Sequence, residues 1–479
     1  MSMQTPLLIK QGTVVNADRS WQADVLCIDG RIAAVGQQLD DQAPPGTRRL
    51  DAHGLYVMPG GIDPHTQLSH VAGRPPTADD FLSGTSAALA GGTTTIIDNI
   101  VPDPHQSLTE AFAARRKQAC QAVCGYGFHV TITHWDEQTH RDVAVLTHQG
   151  VNSFSHYMGP HDAVSTCDAQ LIQSFSCLLE LGVMPTIHAE NGALAKQLQH
   201  ALLQRGLSSP SCFPMAHPPS IEGEATQRAI TIAELTWVPL YLTHVSSQDV
   251  VDAIHRAHER GLRIYGEVPA ANLILSSSVY EGSDQQAALH VTAPPFRPTS
   301  HQRALWKAIR QGLLHTVSSR HCAFLKRDKL LDGSDFSDIP LGCNGIEERM
   351  AVCWHAGTNS GQITPSEFVA LTSTRAARLF HLYPRKGAIC VGADADIVLW
   401  DPEALHTWSA KTHHSRSDNS IYEGRTTRGR AATTIRMGSI VWQNNTLDVA
   451  PGSGTWTPRA TFAPQCAAAR AFHRRHAHR

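Results

Sequence analysis

Three histidines and one glutamine stand where metal chemistry would need them. In MPGGIDPHTQLSH, His65 and Gln67 are two residues apart, and on a strand that spacing turns both side chains to the same face. His188 in TIHAEN and His244 in LTHVSS each close another apolar run. Three imidazoles and a water molecule make a workable catalytic zinc site. Position 67 spoils the pattern, because a neutral amide oxygen suits a hard cation such as calcium better than zinc. Taken singly, each histidine also reads as a hydrogen-bonded core residue. What joins them is their position at matching strand ends.

The elements that must position them follow from the hydrophobic pattern. Short apolar strands are expected at 55–65, 93–100, 126–135, 151–158, 183–190, 239–247, 262–270 and 314–322, with amphipathic helices such as DAQLIQSFSCLLELG and SQDVVDAIHRAHERG between them. About eight strand–helix units predict a parallel (β/α)8 barrel, whose functional residues gather where the strands end. An open doubly wound sheet is the alternative, and neither a G-x-G-x-x-G turn nor a P-loop supports it. Alternating, turn-rich segments at 6–56, 388–402 and 431–444 are expected to pair into one small β-sandwich-like domain. The expected division is therefore 1–56 and 380–455 for the small β domain, 57–379 for the α/β barrel, and 456–479 for a basic, solvated tail ending in AFHRRHAHR.

Composition excludes several function classes. The 479 residues carry 40 Lys+Arg against 42 Asp+Glu, a net charge of -2, which gives no electrostatic reason to expect nucleic acid or a membrane as partner. Eleven scattered cysteines without a C-x-x-C pair read as reduced thiols of a cytoplasmic chain. The start, MSMQTPLLIKQGTVV, lacks the pattern of a signal peptide, and no apolar run is long enough to span a bilayer.

Several segments together, MPGGIDPH, AGGTTTIIDNIVP, GVNSF, IHAENG, LTHVSS, APPFRP, IPLGCNGIEERM, FVALTSTRAARLFHLYPRKGAICVGADADIVLWDP and SAKTHH, closely resemble the dihydropyrimidinase and D-hydantoinase family of the amidohydrolase superfamily. The resemblance runs in one register from about residue 8 to about 450. It implies the barrel, the small β domain and a homotetramer. It also implies hydrolysis of a C–N bond in cyclic amides, hydantoins or dihydropyrimidines, by two metal ions and a bridging hydroxide. The family's ligands are an H-x-H pair, a carboxylated lysine, two further histidines and an aspartate.

Carried over by position, His65, His188 and His244 match three of these ligands and the others are replaced. Gln67 takes the place of the second histidine, Ser155 that of the lysine, and Arg320 in SSRHC that of the aspartate. The substrate-contact positions have become Pro160, Ala293 and Leu341. No lysine occurs from Gln118 through Ala195 to restore the bridge; Asp162, His156 and His161 are the nearby candidates. Arg320 is the gravest change, since a guanidinium stays protonated. Unit charges about 4 Å apart interact by about 4 kcal/mol at an effective dielectric near 20, and a divalent ion roughly doubles that repulsion. The expectation is a barrel disabled in ring hydrolysis and retained for assembly or binding, as in the family's non-enzymatic members, with Gln67 and Arg320 forming a polar, anion-accepting floor. His321 is expected to be structural, its side chain alternating away from that of Arg320. The alternative is a hydrolase with at most one zinc ion, on His65, His188 and His244, acting on a small cyclic amide.

Overall fold

The computed structural model describes residues 5–69, 76–159, 164–330 and 335–462. Eight parallel strands follow one another around a barrel: β1 (Gly61–Thr66), β2 (Thr93–Ile100), β3 (Gly125–Thr131), β4 (Ser153–Tyr157), β5 (Met184–His188), β6 (Leu240–Leu242), β7 (Ile264–Pro269) and β8 (Leu314–Ser318). The ring closes beyond the last strand, where the Gln67 amide donates to the His321 carbonyl at 2.8 Å. Every residue of β1, β2, β3 and β5 is buried, as strands covered on both faces must be. The helix behind β5 begins at Gly192, directly after the strand-end segment of His188, whereas the connections behind β1, β4 and β8 are longer. Asn191, three residues past His188, accepts from the Leu194 amide at 3.1 Å and caps the helix Gly192–Gln204. That short connection leaves His188 little freedom.

The strand expected at 55–65 is two strands. Tyr56–Pro59 belongs to the small sheet and β1 to the barrel, with the break at Gly60. A Cβ at Gly60 would lie 2.2 Å from Thr94 Oγ1, so only glycine lets the chain pass there. The other expected barrel strands are found, mostly a few residues shorter at their ends.

The second sheet is mainly antiparallel and built from both chain ends. Its order is Thr446–Leu447, Ser439–Gln443, Thr426–Arg436, Ile397–Thr407, Tyr56–Pro59, Leu7–Val15, Ser20–Ile28 and Arg31–Gly36, with Arg48–Asp51 also paired to Leu7–Val15. The two ends meet where Ile397–Thr407 runs antiparallel to Tyr56–Pro59. Ile9, Val25, Val57, Ile397, Leu399 and Ile435 form its core. The solvated tail does not begin at 456. Thr455–Trp456 adds beside β3, and Arg459, 2 % exposed, donates to Ser153 Oγ at 2.9 Å and to the Phe128 carbonyl. The rest of that expected tail, 463–479, lies outside the described residues. No helix among the described residues is long and apolar enough to cross a membrane.

A loop following Ile397–Thr407 is pinned over the barrel by two ion pairs. His414 Nδ1 lies 3.0 Å from Glu347 Oε1, and His413 Nδ1 lies 3.9 Å from Glu348 Oε1. Burial opposes the charge on His413, but the Glu348 carboxylate and the Ser417 carbonyl outweigh it and raise the imidazole to about 9. A histidine raised on folding stabilises fully below its unfolded value near 6.5, and the contribution fades as pH rises through about 9. The urea midpoint is therefore expected to fall between pH 7 and 9.5, and His413→Gln to flatten that fall. An unchanged slope in the variant would assign the pH dependence elsewhere.

Candidate functional site

The C-terminal ends of the strands bring the three histidines together. His65 is the penultimate residue of β1, His188 the last of β5, and His244 follows β6 by two residues. His188 Nδ1 lies 3.2 Å from His244 Nε2, and the His65 and His244 ring centroids are 5.4 Å apart. His244 (φ 39°) and Arg320 (φ 51°) both adopt left-handed backbone conformations that non-glycine residues rarely hold. Such conformations cost about 1–3 kcal/mol each and persist where the surroundings enforce them.

Two buried glutamates, which the sequence reading did not single out, support the cluster. Glu267 Oε1 is 3.4 Å from His65 Nδ1 and accepts from Ser318 Oγ at 2.7 Å and the His244 amide at 3.2 Å. Glu190 Oε1 receives His217 Nδ1 at 2.9 Å, while its Oε2, 3.6 Å from His188 Nε2, has no hydrogen-bond partner. Burial would raise both carboxyls, yet the facing imidazoles hold both ionised, Glu190 well below the usual carboxylate range. Burial first, and then the Arg320 charge, drive His244 far below the ordinary imidazole value. A signal for both glutamates was present: Glu190 is two residues past His188, and Glu267 lies in the strand-end segment YGEVPA.

Each replaced position is engaged in other bonds. Gln67 Nε2 donates to the Tyr157 hydroxyl at 3.2 Å, which also receives Asn99 Nδ2 at 2.8 Å. Ser155, buried inside β4, shares a 2.9 Å hydrogen bond with Thr186 Oγ1. Arg320 reaches across to the loop before residue 295, its Nη2 donating to the Ala293 carbonyl and its Nη1 to that of Pro294 at 3.4 Å. Ala293 is buried, and the partly buried Leu341 packs against the same apolar cluster. Pro160, His161 and Asp162 lie outside the described residues. His156 is no substitute ligand: it points into the helix layer, with Nε2 2.8 Å from Ser174 Oγ on Asp168–Leu181, and burial drives it down to about 4. His321, expected to be structural, has its Nε2 paired with Asp79 Oδ2 at 3.0 Å.

The donor set does not fit a two-metal centre. A bridging anion is missing at Ser155, a cation stands at position 320, and the amide at position 67 is turned to Tyr157. Among the described residues no group of three or more His, Cys, Asp and Glu side chains converges as metal ligands would.

An amidohydrolase family model matches residues 56–441, and the chain belongs to that family. Relatives within it bear the names dihydropyrimidinase and D-hydantoinase. It is 42 % identical over 472 residues to a dihydropyrimidinase of Rattus norvegicus, covering 97 % of this chain and 90 % of the relative. It is 38 % identical over 458 residues to a D-hydantoinase of Geobacillus stearothermophilus, covering 95 % and 97 %. The crystal structure of a dihydropyrimidinase from Brevibacillus agri superimposes with a TM-score of 0.93 at 37 % identity, covering 96 % of this chain and all of that one. The resemblance read from the sequence segments therefore holds across both sheets.

Proposed function

We propose that this chain is a dihydropyrimidinase-type barrel that has lost ring hydrolysis and serves through binding or assembly. The observation that carries this reading is Arg320. Its guanidinium occupies the position of the family's aspartate, cannot act as a general base, and is tied to the Ala293 and Pro294 carbonyls. Those carbonyls sit at a substrate-contact position of the family, so the same side chain removes the proton shuttle and fills acceptors a cyclic amide would use. The chain works as a homotetramer in the cytoplasm in this reading, and the ten described cysteines, all free thiols, suit that compartment.

A second reading keeps one zinc ion. The 3.2 Å between His188 Nδ1 and His244 Nε2 favours it, because two ligands of a tetrahedral zinc with bonds of about 2.0–2.1 Å sit about 3.3 Å apart. The Arg320 charge argues against it.

Metal content of the purified chain, measured beside ring opening of dihydrouracil and hydantoin, separates the two. The expected result is well under one ion per chain and no turnover above background. About two zinc ions per chain with ordinary turnover would overturn the proposal; a single ion with slow turnover would establish the second reading.

A further inference from the structure

We propose that Arg320 has inverted the hydrogen-bonding polarity of the old substrate pocket, making it a receptor for a small carboxylate rather than a neutral cyclic amide. The inference rests on the reading of a barrel without its two-metal centre. It names what that barrel binds.

A cyclic ureide presents ring N–H groups and needs acceptors in the pocket. The carbonyls of Ala293 and Pro294 would be such acceptors, and both already receive the Arg320 guanidinium. A guanidinium carries five N–H donors in a fixed fork, and two carbonyl contacts do not exhaust them. Among the described residues no carboxylate forms an ion pair with Arg320, although its surface stays partly accessible. The two buried carboxylates in electrostatic range are engaged by imidazoles, Glu190 by His217 and Glu267 by His65. A cation without an ion-pair partner among the described residues, at a partly open position whose charge reaches the buried His244, offers donors and positive charge. A ligand whose head group only accepts, and carries the opposite charge, matches the guanidinium. A planar carboxylate meets the fork with two parallel N–H···O bonds, which a spherical halide cannot do.

Two probes differing by one water molecule make the test sharp. Dihydrouracil is the neutral ring, and N-carbamoyl-β-alanine is the same set of atoms plus water, opened to a carboxylate. Isothermal titration of the purified full chain, pretreated with EDTA, is expected to show the carboxylate binding at least about tenfold tighter than the ring. Arg320→Gln should weaken the carboxylate about tenfold or more, and Arg320→Lys, which keeps charge but loses the fork, should fall between. Near-UV circular dichroism and the melting temperature of both variants report whether they remain folded. Equal or tighter binding of the ring, indifference to Arg320→Gln in a folded variant, or no carboxylate binding at millimolar concentration would each overturn the inference. Carboxylate binding present before EDTA and absent after it would make a metal the receptor and overturn both this inference and the proposed function. Ring turnover by the untreated chain, with Arg320-dependent carboxylate binding surviving EDTA, would sink the proposed function alone.

Discussion

Introducing Gln67→His, Ser155→Lys and Arg320→Asp together is expected to raise bound zinc from well under one to about two ions per chain. Each change removes a different obstacle. Arg320→Asp replaces a repelling charge by an attracting one and releases the Ala293 and Pro294 carbonyls. Gln67→His supplies an imidazole on the same face as His65. Ser155→Lys supplies an amine that carbon dioxide can convert to the bridging carbamate. The three must act together. Ser155 is buried and bonded to Thr186, so a lysine there without carbamate or metal is an unpaired buried charge, costing several kcal/mol. Ser155→Lys alone should therefore fold poorly, and the triple variant should recover only with zinc and bicarbonate. Elemental analysis and thermal melting read both outcomes. Ring opening should return more weakly than metal, because Pro160, Ala293 and Leu341 stay unchanged. A folded triple variant that remains metal-free would place the defect beyond these three residues.

Arg115→Met is expected to destabilise the fold by about 3–5 kcal/mol. Arg115 Nη2 and Nε lie 2.6 and 3.1 Å from Asp98 Oδ2, with the carboxylate fully buried. Asp98 Oδ1 in turn accepts from Thr66 Oγ1 at 2.9 Å and the Leu68 amide at 3.0 Å. Burial already pushes the Asp98 carboxyl up, with Arg115 the main opposing influence. Without the guanidinium, an uncompensated charge stays under the turn that carries His65 and Gln67. The double variant Asp98→Asn with Arg115→Met should recover much of the loss, since it removes the charge along with its partner. Urea unfolding of the single and double variants measures both. A cost below about 1 kcal/mol would mean the pair is solvated or replaceable.

The order of the barrel strands and the residue types at Gln67, Ser155 and Arg320 were legible in the sequence alone. TTTIIDNI, VMPTIHAE and similar runs are local signals: a strand buried on both faces reads as a continuous apolar stretch whatever its partners are. A histidine at the end of such a run is legible for the same reason. So were Gln67, Ser155 and Arg320, because the flanking segments keep their register. Which groups those residues bond became visible only in the folded chain. Arg320 bonds carbonyls 27 and 26 positions away, Glu267 of β7 meets His65 of β1, and Arg459 reaches Ser153 from far along the chain. Periodicity carries no information about partners so distant in sequence. His156 shows the same boundary within one strand: its type suggested a ligand, but alternation along β4 turned it to the helix layer. Gly60, between the two sheets, sits so close to Thr94 that a Cβ would clash, a constraint that only the assembled fold creates. Local chemistry named the parts of the site, and close packing of remote segments set their polarity.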